Sequence, residues 1–300
     1  MEQIKGDAAV IAERMENLLE VQDVDISEEG VKVVAVPAGK TLQSLKKYQD
    51  EWLDTPRRRE GTSIHRTLES LVAHANTFKS DDSVLFADPG DGDQKDPVLL
   101  AVYNYNPKGG EQDATGWRDH KARYAFPLSE QWKAWKAIDG KAMSVADFAN
   151  FLEGQIEDLG DPSDVTGTAK QLPGKLGMEL ATPAQILALS KGLAVRVDQS
   201  VTNVVNVGSG EQALQFEEKH SSKEGGPLKV PQAFVLNIPV FKNGVLYKVG
   251  ARLRYSVSGP RVTFTVHLYR EDIYLKDAFE LACEEAKNAT QLPLFIGSPE

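Results

Sequence analysis

The hydrophobic pattern of this chain changes its period at about Leu193, and this change limits the possible folds more than any other feature of the sequence. Before that point, apolar residues recur mainly every three or four positions, which is the spacing of amphipathic helices. After it, apolar and polar residues alternate, which is typical of strands in a half-buried sheet. Because helices and strands dominate separate parts of the chain, the sequence predicts an α+β fold.

Alternating runs in the C-terminal half predict an antiparallel meander from Leu193 to Tyr269, closed by a helix around Asp277 to Lys287. Four of these runs meet in pairs at short turn sequences: 201–207 with 213–217, and 234–241 with 245–256. Within the second pair, Asn243-Gly244 predicts a type I′ turn, since both residue types tolerate positive φ. The single cysteine, Cys283, lies beside apolar residues of the predicted helix, so we expect it in the core.

The N-terminal half predicts several helices together with a small sheet. Polar residues typical of helix starts precede apolar runs of helical spacing at Thr67, Ser129, Ser144 and Thr182. Thr182 is followed by a proline and then by Gln185, which together predict a capping box. The small sheet is predicted from three short apolar runs: 83–87, 97–105 and 120–126.

Glycine, proline, aspartate and threonine are concentrated between Asp161 and Gly177, which is the composition of a long connection. We therefore expect a helix-rich α+β region over residues 1–160 and an antiparallel sheet region with its C-terminal helix over residues 178–300. A chain of 300 residues can also form one large domain. The sequence leaves open whether the two regions are one compact domain.

Composition limits the environment and the partners of the protein. The chain contains no apolar run of bilayer-spanning length, and its first residues lack the apolar core of a signal peptide. We therefore expect a cytoplasmic protein that does not bind membranes. Its net charge of −10 argues against broad direct binding of nucleic acid, which needs a cationic surface.

Motifs of conventional enzymes are not found in the sequence. It has no glycine-rich phosphate loop that ends in Lys-Ser or Lys-Thr, and no close pair of histidines or cysteines with zinc-site spacing. The five histidines are dispersed along the chain: His65, His74, His120, His220 and His267. We therefore predict no catalytic residue, no cofactor and no metal, and we expect that the protein is not a conventional enzyme.

A polar pocket near His120 is the alternative to this expectation. Strand alternation places His120 and Tyr124 on one face, and Trp132 follows in the next predicted helix. These three residues are the candidate lining of a small-ligand or catalytic pocket. The sequence favours a simpler interpretation, in which the strand has one polar face and the tryptophan lies in the core.

Scattered aromatic and polar segments carry a resemblance to a known family. They are Val98–Tyr105, His120–Tyr124, Ser129–Trp135, Asp147–Glu153, Val230–Phe234 and Ala251–Tyr255. Together they resemble the DUF2303 family, phage and prophage proteins of unknown function, from about Asp50 onward. The resemblance implies a bacterial host cell and genes near phage recombination or replication functions, but no activity. Where many members have Asp-Tyr-His, this chain has Asn104-Tyr105-Asn106.

Three functions are compatible with these observations. The first is a non-enzymatic phage or prophage protein that acts in interactions or as a self-assembling accessory protein. The second is an accessory factor of phage DNA replication or recombination. The third is an enzyme or small-ligand binder with a site near His120. Self-association is expected because the apolar stripe from Val10 to Leu19 has no obvious partner in the first segment. The alternative is that this predicted helix packs on its own chain.

The segment Gln291-Leu292-Pro293-Leu294-Phe295 resembles the peptide by which bacterial proteins dock on the sliding clamp. In that hypothesis Leu294 and Phe295 fill an apolar pocket, while Gln291 hydrogen-bonds at its rim and Pro293 preorganises the peptide. The partner is then the host clamp or another replication protein. The sequence favours the alternative, in which this apolar segment is the last strand of the protein's own sheet.

Overall fold

The computed structural model of the chain describes residues 24–25, 32–33, 53–56, 58–90, 96–106, 116–165, 169–170, 177–194, 201–206, 212–216, 228–258 and 261–299. The chain divides into two compact units, Met1–Arg59 and Glu60–Glu300. In the first unit, strands β1 (Val24–Asp25) and β2 (Lys32–Val33) pair in antiparallel orientation. The helix predicted over Val10 to Leu19 lies outside the described residues, so its role in self-association stays a prediction.

The second unit contains helices and mixed sheets, which confirms the predicted α+β class. The α-helices of its described residues are α1 (Leu68–Phe78), α2 (Glu130–Ile138), α3 (Val145–Gly154), α4 (Pro183–Ala194) and α5 (Glu271–Thr290). Short 3-10 helices span Ile156–Asp158 and Pro162–Asp164. In the part of the chain that the structure describes, every helix is too short or too polar to cross a bilayer.

The predicted helix starts are confirmed at their caps. Thr67, Ser129 and Ser144 each accept a hydrogen bond from the backbone N–H three residues later, which satisfies a donor of the first helical turn. Before α4, the Thr182 hydroxyl accepts the N–H of Gln185 at 3.3 Å, and the Gln185 side-chain oxygen accepts the N–H of Thr182 at 2.7 Å. This reciprocal pair is the predicted capping box.

A five-stranded sheet positions the residues of functional interest. Its strands are β3 (Gly61–His65), β4 (Val84–Asp88), β5 (Val98–Val102), β6 (His120–Ala125) and β16 (Leu294–Ile296). Their order across the sheet is β16-β4-β5-β6-β3, so β16 and β3 are its edges among the strands that the structure describes. The β16–β4 and β3–β6 pairs are parallel, and the pairs between them are antiparallel.

The remaining strands form two further sheets. They are β7 (Ala142–Ser144), β8 (Leu159–Gly160), β9 (Leu180–Ala181), β10 (Val201–Asn206), β11 (Gln212–Phe216), β12 (Leu228–Val230), β13 (Ala233–Pro239), β14 (Leu246–Ser258) and β15 (Arg261–Leu268). Consecutive strands β10-β11-β12 form one antiparallel sheet, and β13-β14-β15 form the centre of the other, which confirms the meander.

Strands from both sides of residues 161–177 share the larger of these sheets. Strand β15 pairs with β7, and β13 pairs with both β8 and β9. The division predicted between residues 160 and 178 stays a prediction. The alternative is that both regions form one compact domain, and such a domain requires pairings of this kind between them.

The type I′ turn predicted at Asn243-Gly244 is wrong. Strand pairing ends at Pro239 and Leu246, so the connection is longer than two residues. The N–H of Gly244 donates to the carbonyl of Phe241 at 3.0 Å, which makes Lys242 and Asn243 the central residues. Only Asn243 of the two has a positive φ, of 62°, whereas a type I′ turn needs positive φ at both central residues.

The core of the second unit lies between the sheets and the helices. Trp132 of α2 is 1% exposed, which confirms its predicted place in the core, and Trp135 of the same helix is 0% exposed. Cys283 of α5 is also buried, and burial raises the pKa of its thiol to about 12. A second, smaller apolar cluster lies around Phe86 and Val102 of the five-stranded sheet. Helix α1 packs against α5, and α3 packs against α4.

Candidate functional site

The three residues predicted to line a polar pocket are divided among three places. His120 and Tyr124 share a face of β6, as predicted, but four residues of strand separate them by about 13 Å. The His120 ring lies 4.7 Å from the ring of Tyr103, whereas Tyr124 lines a cavity between α1, β6 and α5. Trp132 is buried in the core. A ligand or catalytic site near His120 stays a prediction.

Three histidines and Tyr103 form a connected group, in which His74 and His120 contact Tyr103 and His65 contacts His74. We call these four residues the histidine cluster. His65 lies at the end of β3, His74 on α1 and His120 at the start of β6, while Tyr103 directly follows β5. The Tyr103 hydroxyl and Nδ1 of His74 are 2.7 Å apart. The rings of His65 and His74 are 4.8 Å apart, and Nδ1 of His65 lies 2.9 Å from the Ser70 hydroxyl.

Burial determines the electrostatics of this cluster. Burial lowers the pKa of His65. Burial is also the main cause that lowers the pKa of His74, and the charges of His65 and His120 lower it further. Burial also raises the pKa of Tyr103 far above its usual value. At neutral pH His65 and His74 are therefore neutral imidazoles beside a neutral phenol, which can donate its proton to Nδ1 of His74.

Metal binding is not indicated by the geometry of the described residues. Among them, no three histidine, cysteine, aspartate or glutamate side chains are arranged to hold a metal ion. Sequence reasoning missed the histidine cluster because its members are far apart in the chain and none belongs to a spaced motif. The pairing of β3 with β6 brings His65 to the sheet, and β3 was not among the predicted strands.

The predicted clamp-docking segment comprises the first residues of the edge strand β16 and the three residues that precede this strand. The Pro293 carbonyl accepts the N–H of Leu85 at 2.8 Å, and the N–H of Gly297 donates to the carbonyl of Ala87 at 2.8 Å. Leu294 is partly buried, and the ring of Phe295 lies 5.6 Å from that of Phe86.

The candidate docking residues differ in how far their side chains are buried. Leu292 is buried and Gln291 is exposed, while Phe295 and Ile296 are 48% and 71% exposed. Gln291 ends α5 in the left-handed conformation, with φ of 59°. Docking of Leu294 and Phe295 in a clamp pocket would require β16 to leave β4 and Leu292 to leave the core. Binding to the clamp or another replication protein stays a prediction.

A family model described as "Uncharacterized conserved protein (DUF2303)" matches residues 8–299 of the chain. The chain belongs to the DUF2303 family. The resemblance seen in the sequence is thereby confirmed, and the match begins well before Asp50. No curated protein and no solved structure matches the chain.

Asn104 organises the base of the long β5–β6 connection in this DUF2303 protein. Its side-chain N–H donates to Asp119 Oδ1 at 2.8 Å, and its side-chain oxygen accepts the N–H of His120 at 3.1 Å. A Cβ added to Gly116 would lie 2.0 Å from the Asn104 carbonyl oxygen, so the two chain segments touch there. An aspartate could not donate to Asp119, which explains why an amide suits this position.

Proposed function

We propose that this protein is a non-enzymatic phage or prophage interaction protein that acts in the bacterial cytoplasm and self-associates through β16. Two copies would meet edge to edge, so that their five-stranded sheets join. The observation that carries the proposal is that β16 is an edge strand with exposed apolar side chains. An exposed apolar edge is a ready site for pairing with another strand.

The backbone of β16 supports this proposal. Because Pro293 and Gly297 bond to β4, alternation along the strand directs the peptide groups of Leu294 and Ile296 away from β4. An antiparallel pair around a twofold axis would place Leu294 of one copy opposite Ile296 of the other. Both residues would then exchange hydrogen bonds with their counterparts. Such a pair uses the same surface on both copies, as closed dimers do.

The charge distribution favours a second copy as the occupant of this edge. The chain carries a net charge of −10, so most approaches of two copies are opposed by like charges. Residues 291–299 contain no ionisable side chain. Phe295 and Ile296 therefore lie on an uncharged strip where two copies can approach, and their exposed apolar surface would be removed from water on pairing.

The experiment is the mass of the purified chain at micromolar concentration, measured by light scattering. We expect twice the 32.9 kDa mass of one chain. Ile296→Lys should give the single-chain mass, because the side chain is exposed and the monomer tolerates the charge. Ile296→Pro should do the same, because it removes an N–H that faces the partner strand and leaves the bonds to β4 in place.

Ile64→Lys is the matched control, since Ile64 is 76% exposed on β3, the opposite edge of the same sheet. This variant should keep the mass of two chains. A single-chain mass for the unmodified protein would refute the proposal. So would dissociation by Ile64→Lys, because it would mean that β3 of one copy pairs with β16 of the next.

A further inference from the structure

A cavity of about 310 Å³ lies beside β14, between the end of β12 and residues 252–255. Strand β13 begins at Ala233, which pairs with Arg252, so β14 continues to Ser258 with β15 on one side and no described strand on the other. The cavity occupies the start of this open flank. Its volume lies at the lower end of the range for small-molecule sites.

The charged side chains that line the cavity are two arginines, Arg252 and Arg254. Alternation places both on the same face of β14, about 7 Å apart along the strand. Among the described residues, no carboxylate lines the cavity, and neither arginine takes part in an ion pair. Two unpaired guanidinium groups in a chain with a net charge of −10 make this a locally favourable place for an anion.

The two guanidinium groups differ in exposure. Arg254 is exposed, whereas Arg252 is partly buried. The Nε atom of Arg252 is buried without a hydrogen-bond partner, so its Nη groups are the part that a ligand can reach. An anion that accepts hydrogen bonds from both side chains would therefore lie partly inside the cavity and partly at its mouth.

The backbone N–H of Tyr255 is a third donor at this cavity. The N–H of Leu253 donates to the carbonyl of Gln232 at 2.8 Å, on the side of β14 where β13 lies. Two residues later, the N–H of Tyr255 points to the same side, where the pairing with β13 has ended. No described residue accepts this N–H, and Tyr255 lines the cavity. A ligand or water must provide its acceptor.

The remaining lining is mostly apolar. Val230, Pro231 and Leu253 are buried, and Met178 is partly buried. These side chains form a floor on which the organic part of a ligand can rest. The cavity therefore combines three hydrogen-bond donors with an apolar floor.

The number and charge of the donors favour a phosphate over a carboxylate. A phosphate monoester has a charge of about −1.5 to −2 at neutral pH and three terminal oxygens. It therefore has one oxygen for each of the three donors, whereas a carboxylate has two oxygens and a single charge. The planar guanidinium group also matches the geometry of phosphate oxygens.

We propose that this cavity binds a phosphate monoester with a small apolar organic group. Arg252 and Arg254 hold the phosphate, the N–H of Tyr255 donates to its third oxygen, and the organic group lies on the apolar floor. Strand β14 belongs to the sheet around β13 and β15, whereas β16 is in the five-stranded sheet. The proposal therefore does not depend on self-association through β16.

The test compares three probes with the same ring and different polar groups by ligand-observed NMR titration of the full chain at pH 7.5. They are phenyl phosphate, the carboxylate phenylacetate, and the neutral benzyl alcohol. Phenyl phosphate should bind at least about threefold more tightly than phenylacetate, because it has more charge and one more oxygen. Benzyl alcohol should bind most weakly. Equal binding of the two anions, tighter binding of the alcohol, or binding of none of the three would overturn the proposal.

Two variants assign the binding to this cavity. Arg254→Gln removes a charge from an exposed position, and it should weaken phenyl phosphate binding at least about threefold. Arg252→Lys keeps the charge and removes the planar fork, and it should also weaken binding. Unchanged binding by both variants would contradict the assignment.

Arg261→Gln is the matched control. Arg261 is an exposed arginine outside the cavity lining, and it pairs with Ser258 on the same face of the sheet. It lies about 14 Å along the strands from Arg254, beyond the screening length of about 8 Å at 0.15 M salt. This variant should bind phenyl phosphate like the unmodified chain. If Arg261→Gln and Arg254→Gln weaken binding equally, the overall charge holds the anion and the cavity is not the site.

Selective ¹⁵N labelling of the eight tyrosines tests the third donor. Tyr255→Phe identifies the amide signal of Tyr255 by removing it from the spectrum. In the unmodified chain this signal should move downfield when phenyl phosphate is added, because its N–H then donates to a charged acceptor. A Tyr255 signal that stays in place while other tyrosine signals move would show that the ligand binds elsewhere.

The phosphate monoester can belong to a free small molecule or to a phosphorylated tyrosine of a partner protein, since both present the group found in phenyl phosphate. A peptide that contains phosphotyrosine distinguishes these sources when it is titrated beside phenyl phosphate. Tighter binding of the peptide supports a protein ligand, and tighter binding of phenyl phosphate supports a free one. The unphosphorylated peptide should bind more weakly than the phosphorylated one, and equal binding of the two peptides would contradict the role of the phosphate.

Discussion

Replacing Trp135 by phenylalanine should destabilise the second unit, and the size of the loss should depend on pH. Trp135 is fully buried on α2, and its indole N–H donates to Oδ2 of Asp158 at 2.8 Å. Asp158 is only 8% exposed and lies in the 3-10 helix that follows α3. Burial raises the pKa of Asp158, while the hydrogen bond from Trp135 lowers it.

The expected loss has two parts. A hydrogen bond to a charged group contributes about 1.5–3 kcal/mol, and its removal leaves the Asp158 carboxylate buried without that donor. The smaller ring also leaves a void, which costs about 1–2 kcal/mol in a core that relaxes only partly. Trp135→Phe should therefore lower the free energy of unfolding by roughly 2.5–5 kcal/mol at pH 7.5.

Urea unfolding of Trp135→Phe and of Trp132→Phe separates the two parts. Trp132 lies one turn earlier on α2 and is 1% exposed, so its replacement creates a comparable void without affecting Asp158. The difference between the two variants should be about 1.5–3 kcal/mol, which is the contribution of the hydrogen bond. Equal losses would refute the role assigned to the Trp135–Asp158 bond.

The pH dependence gives a second check on the same bond. A carboxyl whose pKa is raised in the folded state binds protons more readily there, so its burial is most unfavourable above that pKa. Loss of the Trp135 donor raises the pKa of Asp158 further, since that bond stabilises the charged form. The difference between the two tryptophan variants should therefore shrink as the pH falls from 7.5 toward the pKa of Asp158. A difference that does not change with pH would contradict this assignment.

Three further predictions follow from local geometry. Thr182→Ala removes the cap of α4 and should lower the free energy of unfolding by about 1 kcal/mol, measured with urea. Gly116→Ala places a Cβ 2.0 Å from the Asn104 carbonyl oxygen, so it should lower the melting temperature, whereas the Cβ of Gly154→Ala meets no atom of the described residues within 4 Å and should not. Because the pKa of His74 is lowered on folding, stability should fall as the pH drops below about 6.5, and His74→Gln should reduce that fall.

Local signals in the sequence predicted much of the fold because the structures they specify depend on near neighbours. A cap such as Ser129 or Thr182 requires only the backbone three residues ahead. The alternation in β14 likewise reports which face of the strand is buried. The helix starts and the meander could therefore be predicted from short stretches of the chain.

Short strands were missed because their pairing depends on distant residues. Strand β3 pairs with β6, and β8 and β9 pair with β13, across long intervals of chain. A segment of two or five residues that lacks a strong alternation of apolar and polar side chains can be either a strand or a loop. The β13–β14 connection was placed wrongly for a related reason, since Asn243-Gly244 specifies a turn but not how far the flanking strands remain paired.

The candidate sites were predicted only where the relevant residues adjoin in sequence. Residues 291–295 form one continuous segment, so the sequence could single them out and could also suggest that they form a strand. The histidine cluster and the cavity that Tyr124 lines draw on several elements each, and only His120 and Tyr124 of their members were selected beforehand. Their assembly requires the sheet order, which one sequence does not specify.

Hydrogen exchange at the amides of Leu294 and Ile296 tests the central claim most directly. These N–H groups face away from β4, so they should exchange at nearly the unprotected rate in a single copy. If two copies pair through β16, exchange of both amides should slow as protein concentration rises, while the amide of Phe295 keeps the protection it has from β4. Fast exchange of Leu294 and Ile296 at a concentration where the measured mass is that of two chains would contradict the claim.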